Sequence, residues 1–264
     1  MDRLNSITKQ FGLELSDKQI EQFSKYYDIL VEWNKVMNLT AITEKEDVII
    51  KHFADSLLLS KYKDLHENID VIDVGTGAGF PGIPLKIAFP ELNITLMDSL
   101  NKRLKFLDEV IDELGLQDIH TVHSRAEDGG RDEMHREKYD LAVSRAVANL
   151  ATLSEWCIPF VKPGGYFVSY KSNALPEEMR DGKKAIRILG GQVENIFNTN
   201  IPETNNQRSF VFVKKIANTD NKYPRKAGAA KKIKQPQMAV LFFSLKISYV
   251  FFLFFFHEYL PVFV

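Results

Sequence analysis

The sequence predicts an α/β fold: a mostly parallel seven-stranded sheet with the last strand antiparallel, preceded by an N-terminal helical extension. Three observations carry this. From residue 70 onward short β-rich runs alternate with helical stretches, the order of βαβ units in a parallel sheet covered on both faces. A glycine-rich turn, Gly75 to Gly82, joins the first such run to the first such helix. The final two runs are connected by a polar segment without helical pattern, so the last strand returns antiparallel.

The N-terminal quarter reads as helical. Ser16-Asp17-Lys18-Gln19 fits a capping box, with Gln19 at the third helical position. Ile20, Phe23, Tyr27, Leu30 and Val31 then recur at three- and four-residue spacing and give one apolar face. Thr43-Glu44-Lys45-Glu46 reads as a second box, ahead of a helical pattern through Val48, Ile49, Ile50, Phe53, Leu57 and Leu58. The strands are expected at Val71–Val74, Ile94–Met97, Ile119–Val122, Leu141–Val143, Tyr166–Tyr170, Val193–Phe197 and Phe210–Val213. Helices are expected near Gly82–Ala88, Lys102–Leu114, Leu150–Cys157 and Pro176–Leu189. Pro163-Gly164-Gly165 is read as the turn feeding the fifth strand.

The chain has 264 residues, 45% hydrophobic and 26% charged, which excludes collagenous, wholly disordered and disulfide-framework proteins. Cys157 is the sole cysteine, so there is no intrachain disulfide, as fits a reducing cytosol. The polar start, Met1 to Asn5, has no apolar h-region, and no secretory signal is expected. The net charge of −1 hides an asymmetry. Lys214 to Lys234 holds eight basic residues and one acid, net +7, and residues 235–264 are neutral, so the first 213 residues carry −8. A polyanionic partner would therefore meet local patches rather than the whole protein. Residues 239–264 hold eight of the 19 phenylalanines. Two readings of this tail stay open: a C-terminal membrane anchor behind Lys231, Lys232 and Lys234, or a foreign extension with no native role.

The segment that carries chemistry is Asp73-Val74-Gly75-Thr76-Gly77-Ala78-Gly79-Phe80-Pro81-Gly82, between a strand and a helix. Glycines let a backbone turn tightly and approach a ligand closely. Gly77, Gly79 and Gly82 also satisfy G-x-G-x-x-G, so a dinucleotide site has to be weighed. A Walker A loop is excluded, because Ile83-Pro84 stands where Lys and Ser or Thr belong. Asp98 ends the second strand, where a carboxylate accepts ribose hydroxyls or caps the following helix. Ser124-Arg125-Ala126-Glu127 follows the third strand, and Ser144-Arg145-Ala146 ends the fourth. All lie beyond the carboxyl ends of the strands, where open parallel sheets bind ligands.

These residues resemble the class I S-adenosylmethionine-dependent methyltransferases, and with them the Rossmann-like fold of that class. Within it, Trp33 to Thr40, His52-Phe53-Ala54-Asp55-Ser56, Gly79 to Gly82, Ser144-Arg145-Ala146 and Tyr223-Pro224-Arg225-Lys226-Ala227-Gly228 together resemble the RsmG (GidB) family over about residues 1–228. The resemblance implies transfer of a methyl group to N7 of a guanine of bacterial 16S ribosomal RNA, at position 527 in the 530 loop, by a cytoplasmic enzyme acting on the small ribosomal subunit. It also implies that Gly75 and Phe80 contact the cofactor, Ala126 and Glu127 its adenine end, and that Arg145 completes the site. Gly77, Gly79 and Asp98 join them from the physical reading of the loop and the ribose acid.

The domain organisation expected is a helical region at 1–66 packed on the core, an S-adenosylmethionine-binding domain at 67–216, a basic RNA-contacting segment at 217–234 and the hydrophobic tail at 235–264. Candidate RNA contacts are Lys171, Arg225, Lys226, His52 and Tyr223, as phosphate partners or stacking groups. Trp33, Asn34 and Asn38 read as helix-end structure. Guanine N7 carries a lone pair and no proton, so no catalytic His, Ser or Cys is expected. Positioning supplies the acceleration, on an unstacked or flipped base. No metal is expected, because His120 and His123 have no partner ligands at metal spacing. Cys157 reads as a core residue. Two other readings compete: a nicotinamide-dependent oxidoreductase, which lacks its proton-donating constellation, and a non-catalytic RNA-binding or membrane-tethered protein.

Overall fold

Burial sorts the strands. Val71, Ile72, Asp73 and Val74 are all buried, as the central strand of a parallel sheet requires. The computed structural model describes residues 1–145, 148–172 and 176–226. Its strands are β1 (Asp70–Val74), β2 (Asn93–Asp98), β3 (Ile119–His123), β4 (Tyr139–Ser144), β5 (Val161–Lys171), β6 (Gly191–Asn200) and β7 (Gln207–Lys215). They form one sheet in the order β3-β2-β1-β4-β5-β7-β6, and β7 runs antiparallel to both neighbours. Every expected strand is present. The strand order reverses between β1 and β4, the switch point at which such sheets open a crevice. The Pro163–Gly165 segment lies inside β5 rather than before it, next to a register shift against β4; an irregular pairing accommodates residues that a regular ladder does not.

The helices are α1 (Asp2–Lys9), α2 (Asp17–Asn34), α3 (Lys45–Val48), α4 (Asp55–Leu57), α5 (Gly82–Ala88), α6 (Asn101–Leu114), α7 (Ala126–Gly129), α8 (Leu150–Cys157) and α9 (Pro176–Ile188), with a π-helical turn at Ile49–Ala54. Alternation along the strands separates two cores. Val71, Val143, Val168 and Phe210 pack with α1, α2, α5 and α6; Ile72, Ala142, Phe167 and Val211 pack with α8 and α9. The first core includes Leu4, Phe23, Leu30 and Phe53, so the N-terminal helices share the sheet's own core.

The two boxes part company. Ser16 Oγ accepts the Gln19 amide and Gln19 Oε1 accepts the Ser16 amide, so the first is formed. The second is not: α3 starts behind Glu44 with no side-chain cap, and Glu46 is drawn to Arg3 at 2.5 Å. The apolar face of α2 is centred on Phe23, Tyr26 and Leu30, with Tyr27 only half-buried. The helical pattern through residues 48–58 is interrupted by the π turn, a form that recurs at functional sites. Among the described residues no helix is long and apolar enough to cross a membrane. The tail at 235–264, Lys231, Lys232, Lys234, Ala146, Ala227 and Gly228 lie outside the described residues.

Candidate functional site

The glycine turn has two functions in one stretch. Gly75, Gly77 and Gly79 all have positive φ, which side chains rarely adopt. A Cβ on Gly75 would meet nothing within 4 Å, and one on Gly77 only the Gly75 carbonyl at 4.0 Å. These two face open space. A Cβ on Gly79 would lie 2.7 Å from the Tyr26 hydroxyl and from Ile83, and one on Gly82 would overlap Leu96. Gly79 and Gly82 are therefore packing positions that let α2 and β2 close against the turn. Tyr26 also donates its hydroxyl hydrogen to the Ala78 carbonyl. The turn itself hangs on β2 through Gly75 and Thr76 amides, both donating to the Met97 carbonyl.

Asp73 sits beneath this turn. Its Oδ2 accepts Thr76 Oγ1 at 2.7 Å and the Gly82 amide at 2.9 Å. Its Oδ1 is buried without a hydrogen-bond partner among the described residues. Burial pushes its pKa up to about 6, against the bonds from Thr76 and Gly82. A buried acceptor left unmade costs about 1–3 kcal/mol, so this atom fits a cationic or N–H donor brought by a ligand. The sequence reading quoted Asp73 only as the first letter of the motif; an acid at the buried end of a central strand was the available signal.

Asp98 ends β2 beside the turn. Oδ2 accepts the Gly77 amide at 3.0 Å, Oδ1 accepts the Leu100 amide at 2.9 Å, and Arg103 pairs with it at 3.2 Å. The residue before α6 is Leu100, so Asp98 is not the cap of that helix. Ala126 opens α7 after β3, and the Ser124 amide donates to the Asp98 carbonyl. Glu127 is 8% exposed and makes no side-chain hydrogen bond to a described residue. These acceptors gather at the carboxyl ends of β1, β2 and β3.

Phe80 and Arg145 meet on the β4 side. The Arg145 guanidinium carbon is 5.0 Å from the Phe80 ring centre, and His52 stacks on Phe80 at 4.4 Å. Arg145 Nη2 donates to His52 Nδ1 at 3.3 Å. A guanidinium has no acceptor, so Nδ1 is unprotonated and the other nitrogen donates to Thr40 Oγ1 at 2.9 Å. Burial first, then the Arg145 charge, pushes the His52 pKa down to about 3, so the imidazole is neutral. Arg145 Nη1 also pairs with Asp55 Oδ2 at 2.9 Å, while Arg208 pairs with Asp55 Oδ1 at 2.5 Å. Asp55 and Arg208 were missed by the sequence reading as site residues. Asp55 stands in the quoted His52–Ser56 stretch, whereas Arg208 carries no local signal.

The five candidate RNA contacts are placed apart. Lys171 pairs with Glu178 at 2.5 Å and donates to the Ala148 carbonyl. Arg225 grips the buried Glu155 through Nε, at 2.8 Å, and Nη2. Tyr223 is half-buried, and its carbonyl accepts from Arg136 at 2.9 Å. His52 lies behind Phe80, as above. Lys226 is exposed. Pro224 packs over Gly130, just after α7, so residues 223–225 form a strap across α7 and α8.

Trp33 donates to Glu109 at 2.9 Å, and Asn34 Oδ1 accepts the Leu39 and Thr40 amides, which is helix-end structure for both. Asn38 is exposed. Cys157 is buried in the core, and burial pushes its thiol pKa up. His120 bonds Thr95, and His123 bonds the Ser99 carbonyl. Among the described residues no group of three His, Cys, Asp or Glu side chains is placed to hold a metal ion.

Residues 19–211 match the model of the family described as rRNA small subunit methyltransferase G (GidB). The chain is similar to Ribosomal RNA small subunit methyltransferase G of Acetivibrio thermocellus, 53% identical over 84% of this chain and 91% of that one. It is similar to the protein of the same name from Alkaliphilus metalliredigens, 52% identical over 85% and 94%. Among solved structures, a mutant of MtNAS superposes with a TM-score of 0.50 at 13% identity, over 73% of this chain and 74% of that one, a likeness of fold alone.

Proposed function

Because the chain belongs to the rRNA small subunit methyltransferase G (GidB) family, we propose that it methylates N7 of one guanine of 16S ribosomal RNA, position 527 in the 530 loop. It is an S-adenosylmethionine-dependent methyltransferase whose substrate is the RNA of the small ribosomal subunit. The observation that carries this assignment is the identity of about half of all residues over nearly the whole length of such relatives. The site supports it: a buried acceptor on Asp73, two open glycines and the Asp98 carboxylate share one end of the sheet.

S-adenosylmethionine supplies, when bound, an electrophilic methyl group on a sulfonium. The chain's own residues hold and orient. Gly75 and Gly77 would admit the ligand against the backbone, and Asp73 Oδ1 would accept from its ammonium group. Asp98 would accept from the ribose, the Ala126 amide and Glu127 would face the adenine end, and Phe80 with Arg145 would bound the side toward the RNA. Guanine N7 has no proton to remove, so the chain needs no general base. Neutral His52, hydrogen-bonded at both ring nitrogens, orients Arg145 instead. Acceleration then comes from alignment of two reactants and from fixed dipoles.

This reading assigns residues 67–216 to cofactor binding, 1–66 to a helical region on that core and 217–234 to RNA contact. It puts the enzyme in the cytoplasm with its substrate. The test is methyl transfer from radiolabelled S-adenosylmethionine to unmodified small ribosomal subunits, with nuclease mapping of the label. Label at one guanine N7 is the expected result; label elsewhere, or none with cofactor bound, would overturn the assignment.

A further inference from the structure

The cofactor elements occupy the β1, β2 and β3 side of the switch point. A second set of groups lies over the other half of the sheet. The chain turns from β6 into β7 beside the carboxyl end of β5, since Ser209 pairs with Lys171 and Arg208 with Thr199. Arg208 is thereby brought to the same end of the sheet as Arg145. The two arginines flank Asp55, which is 1% exposed, and each takes one of its oxygens. An open groove of about 280 Å³ runs here, lined by Lys51, Asp55, Arg145, Asn206 and Arg208, with Ile42 and His52.

The charges do not cancel. Lys51, Arg145 and Arg208 bring three positive charges, and Asp55 brings one negative. Asp47, outside the lining, pairs with Lys51 at 2.9 Å, and one positive charge remains in surplus. The two arginines also differ in freedom. Arg145 is held by Asp55, His52 and two carbonyls. Arg208 uses Nε on Asp55 and Nη1 on the Gln207 carbonyl, while its Nη2 is neither hydrogen-bonded to a described residue nor buried. A guanidinium held by a buried carboxylate, with Nη2 open in a groove that Lys51 also lines, matches a charge-assisted hydrogen bond to a phosphate oxygen.

We propose that this groove holds a phosphodiester of the RNA substrate, gripped by Arg208 and Lys51, with Asp55 as the positioning residue that sets Arg208. The inference rests on the methyltransferase reading above for the identity of the polyanion. It separates phosphate capture at the start of β7 from the basic strap at Tyr223–Lys226.

The experiment measures binding of unmodified small ribosomal subunits across a salt series, with cofactor affinity by calorimetry, for the wild type, Arg208→Gln, Arg208→Lys and Lys51→Ala. Arg208→Gln and Lys51→Ala should each weaken subunit binding roughly tenfold and lower the salt slope by about 1. Arg208→Lys should recover the slope but only part of the affinity, and cofactor affinity should stay at the wild-type value in all. Lys51 is a partly exposed side chain whose ion pair among the described residues is with Asp47, so its variant decides the matter where Arg208→Gln fails to fold. Wild-type affinity and slope in the folded variants, or a loss confined to cofactor binding, would overturn the groove assignment. A wild-type chain that binds cofactor yet methylates no subunit overturns the function reading instead, and that arm is read separately from RNA binding.

Discussion

Gly82 donates its amide hydrogen to Asp73 Oδ2 at 2.9 Å, and this bond closes the glycine turn from behind. With Thr76 on the same oxygen, it commits Oδ2 to the fold and leaves Oδ1 buried without a partner among the described residues.

Asp73→Asn should separate stability from binding. The amide oxygen can keep both bonds from Thr76 and Gly82, while the amide nitrogen turns the ligand-facing acceptor into a donor. The free enzyme should melt at the wild-type temperature or above, because a buried charge has gone. Cofactor affinity should fall at least roughly tenfold by calorimetry. The pH dependence has a definite sign. The folded pKa, about 6, lies above the ordinary 3.8, so ionisation is disfavoured by folding. This group's contribution to stability is largest below pH 3.8 and falls as pH rises to about 6. Cofactor affinity should rise over the upper part of that window, and Asp73→Asn should flatten the rise.

Gly75→Ala and Gly82→Ala should fail in different assays. At Gly75 there is room for a methyl group but the positive φ is strained, costing about 1–2 kcal/mol. The methyl group also occupies the space a ligand would use, so cofactor Kd should rise more than the melting temperature falls. At Gly82 the methyl group meets Leu96 and lies 3.0 Å from Asp73 Oδ2, overpacking that costs about 1–3 kcal/mol. Equal effects of the two variants on cofactor Kd would contradict this division.

His52 should make the protein acid-sensitive. Its folded pKa, about 3, is below the ordinary 6.5, so the neutral form is the one the fold accepts. The stability it contributes is present above pH 6.5 and is lost progressively as pH falls toward 3. Chemical denaturation at pH 7.5 and pH 5 should show a larger loss in the wild type than in His52→Gln, which carries no titrating group. The same variant should lower methyl transfer through misplacement of Arg145.

Arg225 should behave as a structural residue as well as a basic one. Removing its side chain leaves Glu155, which is 4% exposed, with only the backbone amide of residue 225, and breaking such a pair costs about 2–3 kcal/mol after allowance for the partly exposed arginine. Arg225→Ala should therefore lower the melting temperature, and a double-mutant cycle with Glu155→Gln should show strong coupling. Lys226→Ala should leave stability unchanged. A purely RNA-binding Arg225 would leave the melting temperature at the wild-type value.

The strands, the helices around the glycine turn and the Ser16–Gln19 cap were legible because each depends on neighbours within a few residues: side-chain alternation, helical periodicity, a hydroxyl reaching the third amide. Asp98 was legible as an acid at a strand end, and the position of Ala126 and Glu127 followed from the strand before them. The same local logic misjudged Thr43–Glu46, because Arg3 competes for Glu46 from outside the segment.

What the sequence by itself determined was the order of elements and which residues stand at the carboxyl ends of the strands. Tertiary structure alone decided which glycines face open space and which face Tyr26 and Leu96, since four glycines are alike until their neighbours arrive. It alone joined Arg208 to Asp55 and Arg225 to Glu155, across separations of 153 and 70 residues. The physical reason is range. Backbone pattern is set by interactions along the chain, whereas whether a charge is free for a substrate depends on which distant carboxylate folding places beside it.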